Sequence, residues 1–126
     1  MELYKLKRET LITALEYMDK MLYGIETIVE YFQSGREDKA TTMMLDLIEG
    51  LDWLVKAIEG TKDLQGEHAI DISIINPIFS QLIEAYENLD YVFISDLLEY
   101  EVVPIVSGWK NQLQKVEGVI ENGSIG

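Results

Sequence analysis

Cysteine is absent from the 126 residues, which removes a disulfide framework, a thiolate metal site and a cysteine nucleophile together. A cysteine-free chain fits a reducing compartment. Proline occurs only at Pro77 and Pro104, so long helices can run with few interruptions. Basic residues are scarce: 10 Lys and Arg stand against 23 Asp and Glu, a formal charge of -13. Little is left to bind phosphate through counterion release, and nucleic acid is disfavoured as a partner. Long apolar runs are missing too. No window approaches the roughly 18 apolar residues of a spanning helix, and Met1-Glu2-Leu3-Tyr4-Lys5 lacks the apolar stretch of a signal peptide. The expectation is a soluble, cytoplasmic protein with no membrane partner.

What is present suits a folded domain: 48% of residues are apolar and mean hydropathy is close to zero. At this length one domain spanning residues 1–126 is expected. Its first helix is marked by Leu11, Leu15, Met18, Leu22, Ile25, Val29 and Phe32, a sustained 4-3-4-3 spacing that puts one stripe on one face. Ala14, Met21 and Ile28 widen the stripe, as in a bundle helix with two neighbours. Ser34-Gly35 should end this helix, and Ser34 with Glu37 reads as a capping box for the next. A second helix follows from Ala40, Met44, Leu47, Leu51, Leu54 and Ile58. Gly24 and Gly50 fall inside these two helices, either to admit a close neighbour or as tolerated weak points.

Helical period is lost over residues 61–75, where Ala69 to Ile74 alternates apolar with polar. A crossing loop with an apolar underside is expected there. Asn76-Pro77 should start a short third helix through Ile78, Phe79, Leu82, Ile83, Tyr86 and Leu89. After a break at Asn88–Asp90, a fourth segment from Val92 and Phe93 to Ile120 carries Pro104 inside it, so a kink is predicted at that point. Residues 122–126 should fray. The predicted fold is all-α: an antiparallel four-helix bundle with its last helix kinked at Pro104.

Catalytic signatures are sparse. The single histidine, His68, reads as an exposed loop residue, and no Glu-x-x-His pair, nucleophile elbow or phosphate-binding glycine loop occurs. Charge segregation is the most unusual feature. From residue 63 to residue 109 there is no Lys or Arg, while the acids are Asp63, Glu67, Asp71, Glu84, Glu87, Asp90, Asp96, Glu99 and Glu101. Glu84 and Glu87 on the third helix could converge with Asp96 and Glu99 on the fourth, a donor set suited to a hard divalent cation. Glu84-Ala85-Tyr86-Glu87 resembles half of the magnesium motif of all-helical nucleotide pyrophosphohydrolases, whereas Asp96-Leu97-Leu98-Glu99 reverses the order of the other half. A metal-dependent nucleotide hydrolase is therefore the alternative reading.

Tyrosine and tryptophan are plentiful, and Tyr17, Tyr31 and Trp53 border the stripes of the first two helices. Aromatics with polar tips favour half-buried edges and interfaces. Together with Glu84, Glu87, Asp96 and Glu99 they outline the leading expectation: a non-enzymatic interaction module, without cofactor, whose acidic, aromatic-bordered surface meets another protein such as a basic amphipathic helix. A structural homodimer through the Tyr17, Tyr31 and Trp53 flank is a further alternative. The stretch Asp96-Leu97-Leu98-Glu99-Tyr100-Glu101-Val102-Val103-Pro104, continuing to Trp109, resembles small uncharacterised helical proteins of Gram-positive bacteria, some encoded near flagellar genes. That resemblance carries no catalytic residue; separately, size, acidity and helical content are similar to those of flagellar export chaperones, a likeness without a chaperone-specific motif that implies an interaction role.

Overall fold

A computed structural model describes residues 2–121, and the tail expected to fray at 122–126 lies outside the described residues. The described chain is all-α, without a strand among these residues. Helix α1, Glu2–Gln33, and helix α2, Glu37–Gly60, form the first half. A short α3, Lys62–Gln65, leads through two 3-10 turns, Gly66–His68 and Ile72–Ile74, into α4, Ile75–Glu87. Helix α5, Tyr91–Leu97, then passes through a π-helical turn, Leu98–Val102, into α6, Val103–Glu121.

Helix α1 is the centre of the packing, with α2 on one side and α6 with the π-turn on another. Two neighbours explain its wide apolar face. Met18, Ile25 and Ile28 are fully enclosed, whereas Leu15 and Leu22 of the simple heptad stripe remain half-buried. The stripe of α2 is buried throughout, from Ala40 to Ile58. Ion pairs tie the elements at the rim: Lys7 to Asp63 at 2.9 Å, Arg8 to Glu117 at 3.1 Å and Lys110 to Asp19. Such pairs contribute roughly 0 to 1 kcal/mol each, so the apolar core holds the fold.

Both tight turns share one hydrogen-bonding pattern. After α1, Arg36 N donates to Tyr31 O and Gly35 N to Phe32 O; after α4, Asp90 N donates to Ala85 O and Leu89 N to Tyr86 O. This pair of reversed bonds requires a left-handed residue between helix and turn. Gly35 supplies it at φ 79°, and Leu89 does so at φ 54°, where a side chain is strained. The expected capping box after α1 does not form. Ser34 Oγ donates back to Tyr31 O, and Arg36 occupies the N-cap of α2 with no side-chain cap bond.

Residues 62–68 and 72–75 wind into helical turns and only the short link at Ala69–Asp71 stays extended, which corrects the expectation from the alternation of Ala69 to Ile74. Gln65 decides this: its buried amide donates to Ile58 O at 2.8 Å and Thr61 Oγ1 at 3.2 Å, and accepts from Ile70 N at 2.9 Å. Ile70 is buried and Ile72 half-buried, but Ile74 points to solvent, so the apolar underside is only partial. Helix α4 begins at Ile75, ahead of Asn76-Pro77; the preceding 3-10 turn is capped by Asp71, whose side chain accepts from Ser73 N. Before Pro104 the winding widens, with Val103 N donating to Leu98 O. Proline lacks an N–H and crowds the carbonyl four residues back, so a widened turn at this point accommodates both defects.

Candidate functional site

Helix α1 exposes a second, polar-edged face between its C-terminal half and the π-turn with α6. Val29 and Ile25 form the floor, Leu22 and Val103 the sides, and the groove encloses about 650 Å³. Glu26 and Glu30 stand one turn apart on α1, and Glu99 lines the same groove from the π-turn. Tyr23, 73% exposed, stands at one end. Among the described residues no Lys or Arg lines this groove, and the chain explains why: residues 21–35 of one wall and 63–109 of the other contain neither. Three carboxylates around an apolar floor make a field that attracts cations and a surface that can desolvate an apolar group.

A narrower cleft of about 180 Å³ adjoins it, lined by Phe32, Tyr91, Val92, Ser95 and Asp96, with Gln33 common to both. The Phe32 and Tyr91 rings stack at 5.1 Å. Asp90 caps α5 by accepting from Phe93 N at 3.2 Å, which sets the helix start. Val92 and Phe93, expected from periodicity to enter the core, point outward instead, Val92 being 75% exposed. Helix α5 is short and turns its Ile94 and Leu97 inward, as the π-turn does Leu98, so the first turn of α5 is left on the rim.

The residues predicted from sequence divide. Tyr17 and Trp53 do meet, edge to face at 5.6 Å and 83°, across α1 and α2. Burial, and then the Asp46 carboxylate, hold the Tyr17 phenol above its usual range. Gly50 forms the seat under this ring: a Cβ there would overlap the Tyr17 hydroxyl and lie 2.7 Å from its Cζ. Of Gly24 and Gly50, Gly50 has a close neighbour and Gly24 has none within 4 Å. Tyr31 is separate, two heptads further along α1, where Lys39 lies over its ring at 5.7 Å.

Among the acids, Glu99 lines the large groove and Asp96 the narrow cleft, while Glu84 and Glu87 are exposed on α4 and line neither. Among the described residues no three Asp, Glu or His side chains gather into a group able to hold a metal, so the four-carboxylate arrangement required by the metal reading is not assembled. His68 is half-buried rather than fully exposed; its Nε2 lies 3.7 Å from Glu67 Oε1, and its carbonyl accepts from Gln112 Nε2. Sequence reasoning missed Tyr23, Glu26 and Glu30. The available signal was the cation-free run 21–35, which matters only once it is known to face the second such run.

Residues 9–112 match the family described as a domain of unknown function, DUF8042. The chain belongs to the DUF8042 family. Both walls of the groove lie inside the DUF8042 region, as do the narrow cleft and the Tyr17–Trp53 pair. No curated protein and no solved structure matches the chain. Among the described residues no helix of this DUF8042 protein is long and apolar enough to cross a membrane.

Proposed function

We propose that the protein is a non-enzymatic adaptor or chaperone-like module of the cytoplasm that holds a basic amphipathic helix of another protein. The observation that carries this reading is the groove between α1 and the π-turn with α6, where Glu26, Glu30 and Glu99 surround an apolar floor with no cation in its lining. Carboxylates would steer the encounter and fix register, and the apolar floor would hold the bound segment. Glu84 and Glu87, outside the groove, add to the long-range field only.

The scaffold fits an antiparallel four-helix bundle, bent ahead of Pro104. Lys7 with Asp63 and Tyr17 with Trp53 pair α1 against the chain in reverse order, and Arg8 with Glu117 and Asp19 with Lys110 do the same against α6. The likeness in size, acidity and helical content to flagellar export chaperones supports a chaperone-like role. The test is capture of partners from the native organism with the full chain, followed by association kinetics of a purified partner across salt concentrations. Replacing Glu26, Glu30 and Glu99 by glutamine should slow association at least tenfold at low salt and flatten the salt dependence. A partner that binds this triple variant at the same rate at every salt concentration overturns the reading.

A further inference from the structure

The large groove and the narrow cleft differ in chemistry but share Gln33, and together they line one seam along α1. In the first part three carboxylates line the groove; in the second, stacked Phe32 and Tyr91 and the outward Val92 form an apolar slot with one acid, Asp96, in its lining. Glu26 and Glu30 are four residues apart, and Gln33, where the slot begins, lies three residues further along the same helix. At 1.5 Å per residue the slot opens about 10 Å beyond Glu26 and about 5 Å beyond Glu30. Val92 is an apolar side chain left 75% exposed beside this slot.

We infer that the seam reads a two-part motif on one partner helix: a pair of Lys or Arg residues one turn apart, seated against Glu26, Glu30 and Glu99, and a large apolar residue one turn further on the same face, seated in the Phe32–Tyr91–Val92 slot. This rests on the proposed function and specifies its ligand. Charge complementarity selects the occupant. A second copy of this chain would bring a net charge of -13 towards a groove lined by three carboxylates, whereas a basic helix neutralises three acids that, among the described residues, share the groove with no cation. Basic residues alone would bind weakly and without register, because exposed ion pairs are screened within about 8 Å at physiological salt. The apolar anchor supplies position and residence time.

The full chain, labelled with nitrogen-15, would be titrated with synthetic helical peptides carrying Lys-x-x-x-Lys-x-x-Phe or the reverse order, Phe-x-x-Lys-x-x-x-Lys. Controls replace Phe by Ala, move Phe to the opposite face, or replace both lysines by glutamine. At least one order should shift amides of residues 22–33 and 91–107 and bind about tenfold more tightly than each control. Val92→Ser, at an exposed position that spares the core, should weaken the Phe peptide about tenfold and leave the Ala peptide unchanged. Glu26→Gln with Glu30→Gln should weaken both peptides. If the carboxylate changes weaken binding while Val92→Ser and the Phe controls do nothing, the two-part motif is overturned and the acidic groove stands. No shift with either order at millimolar peptide, or shifts outside the seam, overturns the motif; a native partner indifferent to the triple glutamine variant would separately overturn the proposed function.

Discussion

Replacing Gly50 by alanine sets helix propensity against one aromatic contact. Within a helix the change is worth about 1 kcal/mol in favour of alanine. Here the new methyl would overlap the Tyr17 hydroxyl and sit 2.7 Å from Cζ and 3.1 Å from Cε2, whereas ordinary contact begins at 3.4 Å. The ring can move, because it is the far end of a side chain, but it moves away from Trp53. An edge-to-face pair is worth about 1 kcal/mol beyond its area. Returning roughly 60 Å² of ring to water costs about 1.5 kcal/mol more. These terms leave Gly50→Ala destabilising by about 1.5 kcal/mol. In a Tyr17→Ala background the contact is absent, so the same change should stabilise by about 1 kcal/mol. Urea unfolding of the four proteins, followed by far-ultraviolet circular dichroism, gives the coupling directly, with an expected value of about 2.5 kcal/mol. Equal effects of Gly50→Ala in both backgrounds would refute the account of Gly50 as the seat for Tyr17.

The two turn residues should respond in opposite directions: Leu89→Gly relieves a left-handed side chain and should stabilise by about 1 kcal/mol, while Gly35→Ala should cost about 1 kcal/mol, both read by urea midpoint. Loss of stability on Leu89→Gly would mean that the leucine packs more than its 59% exposure indicates. Gln65→Leu leaves Ile70 N and Ile58 O without their buried partner and should cost about 2 kcal/mol, with faster amide exchange at Ile70 as the local signature. The Tyr17 phenol titrates higher in the fold than in the unfolded chain, so its contribution is whole below the usual tyrosine range and is lost as pH rises through the folded value. Tyr17→Phe should therefore flatten the alkaline limb of the stability curve. Asp63 and Asp71 are shifted the other way, the first chiefly by its hydrogen bond from Lys7 and the second by bonds from Ser73. Their contributions are present above the unfolded carboxylate value and fade as pH falls through the lowered ones, so Lys7→Met should reduce the slope of acid unfolding.

Periodicity and punctuation in the chain determine which segments are helical and where two of the turns fall. Apolar spacing in α1 and α2 needs only local geometry to be read, because 3.6 residues per turn puts those side chains on one face whatever lies opposite. Gly35 and the Asn88–Asp90 break likewise mark helix ends through backbone preference alone. Residues 61–75 escaped such reading because their conformation is decided by Gln65, whose three hydrogen bonds reach back to Ile58 and forward to Ile70. The acidic excess is a property of the sequence, but its division is not. Asp96 and Glu99 lie along the seam and Glu84 and Glu87 outside it, because each belongs to a helix whose rotation is set by the apolar residues it buries. Glu26, Glu30 and Tyr23 became candidates only when α1 met the π-turn and α6, bringing together two stretches without a cation that are more than 60 residues apart at Glu99. Tyr17 and Trp53 were recognisable as flank residues, and packing alone decided that Gly50 seats their contact while Tyr31 stands apart. Local sequence determines helix and face; which faces are left open, and which charges meet across them, follows from close packing among helices distant in the chain.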